Sequence, residues 1–307
     1  MDLRHMRHLV AVAEELHFGR AARRLNMAQP PLSQSIKRLE DELGVRLLER
    51  SCSGVALTSA GAVFVEEAKR TLMQADLTRE VTQRTARWGA HTVTVGFIGP
   101  AMFRLLPGVL AMHKTRYPDI QIKLQSLTSA EQIVGIMEGR VDVGFLHPAV
   151  DLMEGGDRMI VERCDFVAAI PADWDLARKE SLTLAELAEH PLIMVPEKES
   201  PARVAALKAA FRSVGAQPNI VQEAMQTQTT LSLVANGLGA SLSMETAALI
   251  GLNNIAYRRV TDLPSNLRWE LAMAWYPHHT SKASQNFMDV VKDFCAENIQ
   301  LEVPIVR

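Results

Sequence analysis

The residues with the clearest chemical potential are polar side chains between positions 29 and 37. Gln29, Ser33, Gln34 and Lys37 stand away from the apolar residues of a predicted helix. Short hydrogen-bonding side chains near a helix N-terminus can read base edges in the major groove, whereas lysine and arginine hold phosphates. The pattern favours DNA recognition, although an ordinary helical hairpin with a solvated polar face would carry the same residues.

The stretch 19–44 is predicted to fold as two short helices with a tight turn, which would position these side chains. Asn26 favours the turn, and the prolines at 30 and 31 suit the first turn of the second helix. Gly44 suits a left-handed cap at its end. The apolar residues of the second helix recur at spacings of four, three and four, which predicts a buried stripe of Leu32, Ile36, Leu39 and Leu43.

Residue order over 3–61 resembles the N-terminal domain of LysR-type transcriptional regulators. The resemblance is carried by LRHM at 3–6, by the run from HFGRAARRLNMAQPPLSQSI to VRLLER at 17–50, and by LTSAG at 57–61. It implies a winged helix-turn-helix domain over 1–58, with the wing formed by two short strands around 51–54. The implied DNA-binding residues are Gln29, Pro30, Pro31, Ser33, Gln34, Lys37, Arg38, Arg50 and Ser53.

Two positions depart from the pattern of that family. Ser53 stands at the wing tip, where relatives usually have a basic residue, and Gln34 stands where many have arginine. These departures leave Arg50 as the nearest candidate for a minor-groove contact. Within the family, AQPPLS, VGFIG and GRVDVGF together resemble regulators of aromatic-compound catabolism.

A long helix is predicted from residue 59 to about 84, within a linker over 59–87. Its apolar residues recur at spacings of three, four and three, which is typical of a short coiled-coil seam between two copies of the chain. The alternative is a linker buried inside one domain. The predicted dimerisation residues are Val65, Ala68, Leu72 and Ala75.

From residue 93 onward, predicted strands alternate with helices, which indicates parallel sheets in α/β layers. The resemblance implies that this part is a two-lobed effector domain similar to periplasmic binding proteins. Lobe 1 is expected to comprise residues 91–161 and 268–307, and lobe 2 residues 162–267.

Ligands of such sheets bind at the carboxyl ends of strands, where helix N-termini favour anions. Hydroxyls and helix starts from both lobes would meet there, so we expect a small organic anion as the effector. The alternative is that Ser129 and Pro201 only cap or start helices and that His147 is a surface loop residue. The candidate effector-binding residues are Gly99, Pro100, Ala101, Thr128, Ser129, His147, Ser200, Pro201, Thr227 and Gln228.

The candidate effectors are an aromatic carboxylate, a sulfonate or a muconate-like acid. Relatives that sense aromatic acids commonly have a hydroxyl where Pro100 stands, which argues against a benzoate-like hydrogen-bond pattern. If His147 contributes as the imidazolium, effector binding should weaken as pH rises through its pKa.

Length and composition support a protein of more than one domain. A chain of 307 residues with 48% hydrophobic residues suits two or three domains, and a net charge of −2 excludes a dominant basic surface. Cys52, Cys164 and Cys295 lie far apart without metal-ligand spacing, so no metal is expected. Neither a membrane span nor a signal-peptide core is present, which predicts a cytoplasmic protein. Local basic character comes from Arg20, Arg23, Arg24, Lys37, Arg38, Arg46 and Arg50.

The leading interpretation is a ligand-responsive transcription factor, not an enzyme, that activates catabolic genes. We expect no cofactor besides a small-molecule co-inducer. The expected partners are double-stranded promoter DNA, further copies of the chain in a homodimer or homotetramer, and RNA polymerase, with no membrane. One alternative is a thiol-based redox regulator that uses Cys164 or Cys295. Another is an enzyme or solute-binding module with a DNA-binding appendage, although no nucleophile–base pair occurs at useful spacing.

Overall fold

The computed structural model describes residues 1–51, 54–88, 91–148 and 155–298. The chain separates into two compact units, Met1–Arg87 and Trp88–Arg307. The elements of the first unit are α1 (Leu3–Glu15), α2 (Phe18–Arg24), α3 (Gln29–Leu43), β1 (Leu48–Ser51), β2 (Gly54–Leu57) and α4 (Ser59–Trp88).

Local sequence explains where the helices of the first unit begin and end. The Asp2 carboxylate caps α1 by accepting hydrogen bonds from the backbone N–H groups of Arg4 and His5. Helix α3 begins after Ala28, with its two prolines in the first turn, and ends at Gly44, where φ is +69°. This positive φ is the left-handed cap that the sequence predicts. Strands β1 and β2 pair as an antiparallel hairpin.

The predicted buried stripe of α3 is confirmed in its first three members. Leu32, Ile36 and Leu39 are fully buried in the core of this unit, whereas Leu43 is 37% exposed. The stripe prediction is therefore wrong at Leu43. The chain reverses at Gly44, and the buried residues Leu47 and Leu48 complete the core instead.

The first turns of α4 belong to the core of their own unit. Val65 and Ala68 are buried within the single chain, and Val65 packs in the same cluster as α1 and α3. The place of these two residues in a seam between two copies stays a prediction, but both side chains are already covered within the single chain. Leu72 and Ala75, farther along the helix, are only half-buried.

The second unit is an α/β domain. Its strands and helices are β3 (Thr92–Phe97), α5 (Leu105–Arg116), β4 (Gln121–Ser126), α6 (Ser129–Met137), β5 (Val143–Leu146), β6 (Asp157–Cys164), β7 (Phe166–Pro171), β8 (Ser181–Leu182), α7 (Leu184–Ala188), β9 (Pro191–Met194), α8 (Pro201–Ser213), β10 (Asn219–Glu223), α9 (Thr227–Ala235), β11 (Ser241–Met244), β12 (Ile255–Val260), β13 (Trp269–Trp275) and α10 (Lys282–Asn298). Short 3₁₀ helices cover Gly99–Met102, Asp175–Arg178, Glu245–Ile250 and Pro277–His279.

Two mixed sheets define two lobes. In lobe 1 the strand order is β4-β3-β5-β13-β6, with β3 parallel to β4 and β5, and β13 antiparallel to β5 and β6. In lobe 2 the order is β11-β7-β12-β8, and β7 is antiparallel to both of its neighbours. The parallel pairing expected from the sequence is present, but neither sheet is parallel throughout. In lobe 1 this is because β13 returns between two strands that run the other way. Strands β9 and β10 form a separate parallel pair.

The core of the second unit is continuous across both sheets. Val95, Phe145 and Trp269 from lobe 1 belong to the same buried cluster as Phe166 and Met244 from lobe 2. Loops and helix starts at the junction of the lobes are thus held by a common set of apolar contacts. In the part of the chain that the structure describes, no helix has both the length and the apolar character needed to cross a membrane.

Candidate functional site

The polar face of α3 is available to a partner. Gln29, Gln34 and Lys37 are exposed, and Ser33 is half-buried. The buried stripe of α3 faces the unit's own core, so the remaining face projects outward. The other predicted contact residues of this helix, Pro30, Pro31 and Arg38, are exposed as well.

Two histidines support the helix-turn-helix without being part of its exposed face. The His8 Nδ1 on α1 lies 2.7 Å from the Ser35 Oγ on α3, and this hydrogen bond joins the two helices. His17 caps α2, because its Nδ1 accepts hydrogen bonds from the N–H groups of Gly19 and Arg20 at 3.0 and 3.3 Å. Sequence reasoning missed both roles, since they depend on which side chains meet after folding.

The wing residues are only partly covered by the structure. Arg50 lies in β1, but its side chain is outside the described residues, and so is all of Ser53. Their proposed contacts with DNA therefore stay predictions.

In lobe 1 the segment after β3 is a 3₁₀ helix followed by a break, not one continuous α-helix. Gly99 and Pro100 lie at its start, and the break falls at Arg104, where φ is −134° and ψ is −53°. Ala101 is fully buried in the domain core. This burial argues against the predicted contact between Ala101 and an effector, because its methyl group is covered by the protein.

The start of α6 is capped by Thr128 and not by Ser129. The Thr128 Oγ1 accepts a hydrogen bond from the Glu131 N–H at 3.3 Å, and the Glu131 Oε2 accepts one from the Thr128 N–H at 2.8 Å. This capping box places a carboxylate of the protein at the helix start where we expected the effector's anion. The Ser129 Oγ accepts a hydrogen bond from the His147 N–H at 3.1 Å, so Ser129 joins α6 to the segment after β5.

His147 is a half-buried, neutral histidine at the junction of the lobes. Its ring meets the Trp269 ring edge to face, with 5.9 Å between the centroids. Its Nε2 is buried without a hydrogen-bond partner in the described structure. Burial, and then the positive charge of Arg203, lower the His147 pKa to about 4. This pKa argues against the imidazolium role considered from the sequence, because His147 is mostly uncharged near neutral pH.

Lobe 2 contains a cavity of about 50 Å³ at its face. One water needs roughly 10–15 Å³ on the same measure, so a small ligand fits. Of the predicted residues, Thr227 lines this cavity, whereas Ser200, Pro201 and Gln228 do not. The lining residues are Phe166, Leu192, Ile193, Met194, Val195, Arg203, Leu207, Phe211, Ala224, Met225, Thr227, Thr230, Ser241, Leu242, Ser243 and Met244.

Arg203, in the first turn of α8, is the residue that sequence reasoning missed. Arg203 lines the lobe 2 cavity, and its charge is close enough to His147 to lower the pKa of that residue. A cation in the first turn of a helix opposes the helix dipole. This unfavourable placement was visible in the sequence, and a bound anion near Arg203 would explain it.

The two described cysteines lie in surroundings that disfavour the reactive thiolate form. Burial raises the pKa of the Cys164 thiol to about 11 and that of the Cys295 thiol to about 12. Both therefore stay protonated near neutral pH, and a protonated thiol is a weak nucleophile. Cys52 lies outside the described residues. The described residues also contain no cluster of side chains suited to hold a metal ion.

Comparisons with known proteins cover both units. A family model described as "Bacterial regulatory helix-turn-helix protein, lysR family" matches residues 3–62, and one described as "LysR substrate binding domain" matches residues 89–296. The chain is similar to the HTH-type transcriptional regulator AlsR of Bacillus subtilis (strain 168), with 37% identity over 275 residues, which are 89% of this chain and 90% of AlsR. It is similar to the Hca operon transcriptional activator HcaR of Escherichia coli (strain K12), with 34% identity over 299 residues, 95% of this chain and 98% of HcaR.

Solved structures agree with these relatives in fold. Full-length CbnR complexed with its target DNA superposes with a TM-score of 0.57 at 26% identity, and the match covers 96% of this chain and 100% of CbnR. AlsR and HcaR are named as regulators of transcription and not as enzymes. The chain belongs to the LysR family of DNA-binding transcriptional regulators, with a helix-turn-helix unit followed by a substrate-binding effector domain.

Proposed function

We propose that this protein activates the promoters of catabolic genes in response to a small organic anion bound between its two lobes. The polar face of α3 reads the promoter sequence, and the anion alters the arrangement of the DNA-bound assembly. Aromatic carboxylates, sulfonates and muconate-like acids are the first candidates. An activating role is supported by HcaR, which is named an activator.

One observation carries the effector proposal. His147, Trp269 and Arg203 are neighbouring side chains at the junction of the lobes, and each has a buried nitrogen without a hydrogen-bond partner in the described structure. Buried polar groups are normally paired, so a group of unpaired nitrogens indicates a ligand with acceptor atoms. The remaining candidate contacts from the helix starts stay proposals, and they are Gly99, Pro100, Thr128, Ser200, Pro201, Thr227 and Gln228.

A two-step experiment tests this function. Selection of genomic DNA fragments by the purified protein identifies the operator, and thermal unfolding is then measured with benzoate, benzenesulfonate, cis,cis-muconate and the neutral benzamide. Specific binding to the folded state must raise the melting temperature. We expect at least one acid to do so and to change the footprint on the operator. Failure of every compound to change either measurement would remove the effector from the proposal.

We propose that the protein assembles as a homodimer or homotetramer through the outer part of α4, and that RNA polymerase is its partner at the promoter. Leu72 and Ala75 are the seam residues that keep partly exposed surface. Replacing Leu72 with Glu would bury an unpaired charge in the interface. Light scattering should then show smaller particles than for Val63→Glu, a change at a residue that is 66% exposed on the same helix. Equal masses for the two variants would place dimerisation elsewhere.

A further inference from the structure

Arg203 is a cation without a compensating anion among the described residues. Its Nε is buried and unpaired, and no described carboxylate forms an ion pair with its guanidinium. Burial lowers its pKa, and no neighbouring charge opposes that effect. Arg203 as a whole is half-buried. A charge that is partly removed from water without a counter-charge is still costly, so the fold keeps at this point a charge that a bound anion would compensate.

The rest of the cavity wall is neutral. Arg203 is the only charged side chain among the residues that line the cavity. Four hydroxyl groups supply its remaining side-chain polarity, and the other lining side chains are apolar. The hydroxyl groups belong to Thr227, Thr230, Ser241 and Ser243. One carboxylate of a ligand can therefore pair with Arg203, and the rest of the ligand would contact hydroxyl groups and apolar side chains.

Among the described residues that line this cavity, none is a second cation that could meet a second carboxylate of the ligand. Toward lobe 1 it would approach His147, which is uncharged near neutral pH. It would also approach Glu270, whose negative charge raises the pKa of His147, whereas the charge of Arg203 lowers it. The Glu270 carboxylate already accepts a hydrogen bond from the Arg163 Nε at 2.6 Å. Removing a second carboxylate from water at this place costs free energy that no described residue returns.

We propose that Arg203 anchors the effector and restricts it to small organic acids with one negative charge. Dicarboxylic acids of the muconate type are excluded, although the family-level interpretation allows them. This inference rests on the proposed effector function and specifies the charge class that the cleft accepts. The contribution of Arg203 is a charge-assisted hydrogen bond, which a neutral analogue of the same shape cannot form.

The test uses two sets of probes that differ in charge but little in shape. Propionate, propionamide and succinate form one set, and benzoate, benzamide and phthalate form the other. Binding to the full-length protein is measured at pH 7.5 by calorimetry and thermal unfolding. The proteins are the wild type, Arg203→Met, Arg203→Lys and Arg212→Met, where Arg212 is an exposed arginine on the same helix.

In the wild type, we expect the monoanion of at least one set to bind about tenfold or more tightly than the amide and the dianion of that set. Arg203→Met should remove this preference, Arg203→Lys should keep part of it, and Arg212→Met should behave as wild type. Equal binding of monoanion and dianion, or an unchanged preference in Arg203→Met, overturns the inference and leaves the proposed effector function standing. If none of the six probes binds the wild type, both fail.

The unliganded proteins provide an independent measurement. Because Arg203 has no partner among the described residues, Arg203→Met should leave the melting temperature unchanged or raise it, as expected when an unpaired buried charge is removed. A structural arginine would behave in the opposite way. A melting temperature for Arg203→Met clearly below that of Arg212→Met would assign Arg203 to the fold and would overturn the inference.

Discussion

Helix α3 and the junction of the two lobes place their polar side chains in opposite surroundings. On α3, Gln29, Gln34 and Lys37 are exposed on one face, and the helix is held by an apolar stripe on the other. At the junction of the lobes, His147 and Arg203 are largely removed from water, and each has an unpaired buried nitrogen. Exposed groups cost the fold little, whereas buried ones affect its stability.

This difference leads to a general expectation about substitutions. Changes on the polar face of α3 should alter DNA binding and leave the free energy of unfolding nearly unchanged. Changes to buried polar groups of the effector domain should alter the free energy of unfolding. A change that leaves a buried charged partner unpaired should lower it, whereas removal of a charge that has no partner should not. Four predictions test this contrast, and they are ordered by the size of the expected effect.

The largest effect should come from the buried ion pair between Arg104 and Glu162. Glu162 is 2% exposed, and its Oε1 lies 3.2 Å from the Arg104 Nη2. Arg104→Met would leave the Glu162 carboxylate buried without its cation, and we expect a loss of about 3–5 kcal/mol in unfolding free energy at pH 7.5. Denaturant titration measures this loss. The matched control is Arg163→Met, which breaks an exposed pair with Glu270 and should cost less than about 1 kcal/mol.

The pH dependence of that loss checks its cause. Burial raises the pKa of the Glu162 carboxyl, and the Arg104 charge lowers it in part. Without Arg104 the folded state binds the proton more readily than the unfolded chain does. The loss of unfolding free energy in Arg104→Met should therefore be largest at pH values above the folded-state pKa of Glu162, where its carboxyl is charged. The loss should become smaller as the pH falls through that pKa. A loss that is independent of pH would show that packing, not charge, is responsible.

The second prediction concerns acid sensitivity at His147. Its pKa in the folded protein is about 4 instead of the usual 6.5, so the folded state binds this proton less readily than the unfolded chain does. The corresponding stability is present above about pH 6.5 and is lost as pH falls toward 4. When the pH falls from 7 to 4.5, the unfolding free energy of the wild type should decrease more than that of His147→Phe. The difference between the two decreases should be on the order of 2–3 kcal/mol.

The exposed His278 supplies the control for this measurement. His278→Phe should retain the acid loss of the wild type, because the charged form of an exposed side chain stays hydrated. If the unfolding free energies of His147→Phe and the wild type depended on pH in the same way, His147 would not be desolvated in the folded protein. That result would contradict the contrast between the two regions.

The sequence predicts these two regions unequally for a physical reason. The helix-turn-helix depends on contacts between residues close in sequence, so periodicity, two prolines and Gly44 were sufficient to place α3 and its exposed face. The effector cleft combines His147 with Arg203, 56 positions away. Hydroxyls and helix starts were visible in the sequence, but burial is a property of the folded chain. The sequence pattern could therefore not reveal the fully buried Ala101, the carboxylate of Glu131 at the start of α6, or the neutral state of His147.

The linker shows the same limitation on a smaller scale. A seam at spacings of three and four fits a second copy of the helix and the chain's own core equally well. Val65 and Ala68 are covered by their own unit, whereas Leu72 and Ala75 keep partly exposed surface. Periodicity predicted that this face is apolar, but it could not predict which neighbour covers it.

The third prediction separates base contacts from phosphate contacts on α3. Gln34→Ala should reduce the discrimination between the operator and a mismatched site by about 1–3 kcal/mol if Gln34 contacts a base. Lys37→Ala should weaken binding to both sequences alike and reduce the salt dependence by about one counterion. Because both side chains are exposed, neither change should alter the unfolding free energy by more than about 0.5 kcal/mol. Anisotropy titrations at several salt concentrations, with denaturant titrations beside them, measure all three quantities.

Two outcomes would contradict that assignment. If Gln34→Ala weakened both DNA sequences equally, Gln34 would be a backbone contact and not a base contact. If either variant lost several kcal/mol of stability, the exposed face would also hold the fold, and the contrast with the buried cleft would fail.

The smallest expected effect lies between these two extremes, at the half-buried link from His8 on α1 to Ser35 on α3. The two side chains are 2.7 Å apart, and burial lowers the pKa of His8, which favours the neutral imidazole in this contact. A neutral hydrogen bond of this kind contributes about 0.5–1.5 kcal/mol. A double-mutant cycle with His8→Phe and Ser35→Ala should return that coupling in unfolding free energy. His8→Asn, which keeps a polar atom near the position of Nδ1, should retain part of this coupling.

Because neither residue belongs to the exposed polar face of α3, we expect the link to act by fixing how α3 packs on α1. Its loss should therefore reduce discrimination between the operator and a mismatched site while the salt dependence of binding stays the same. A coupling of zero, or an altered salt dependence with discrimination intact, would show that His8 does not position the recognition helix.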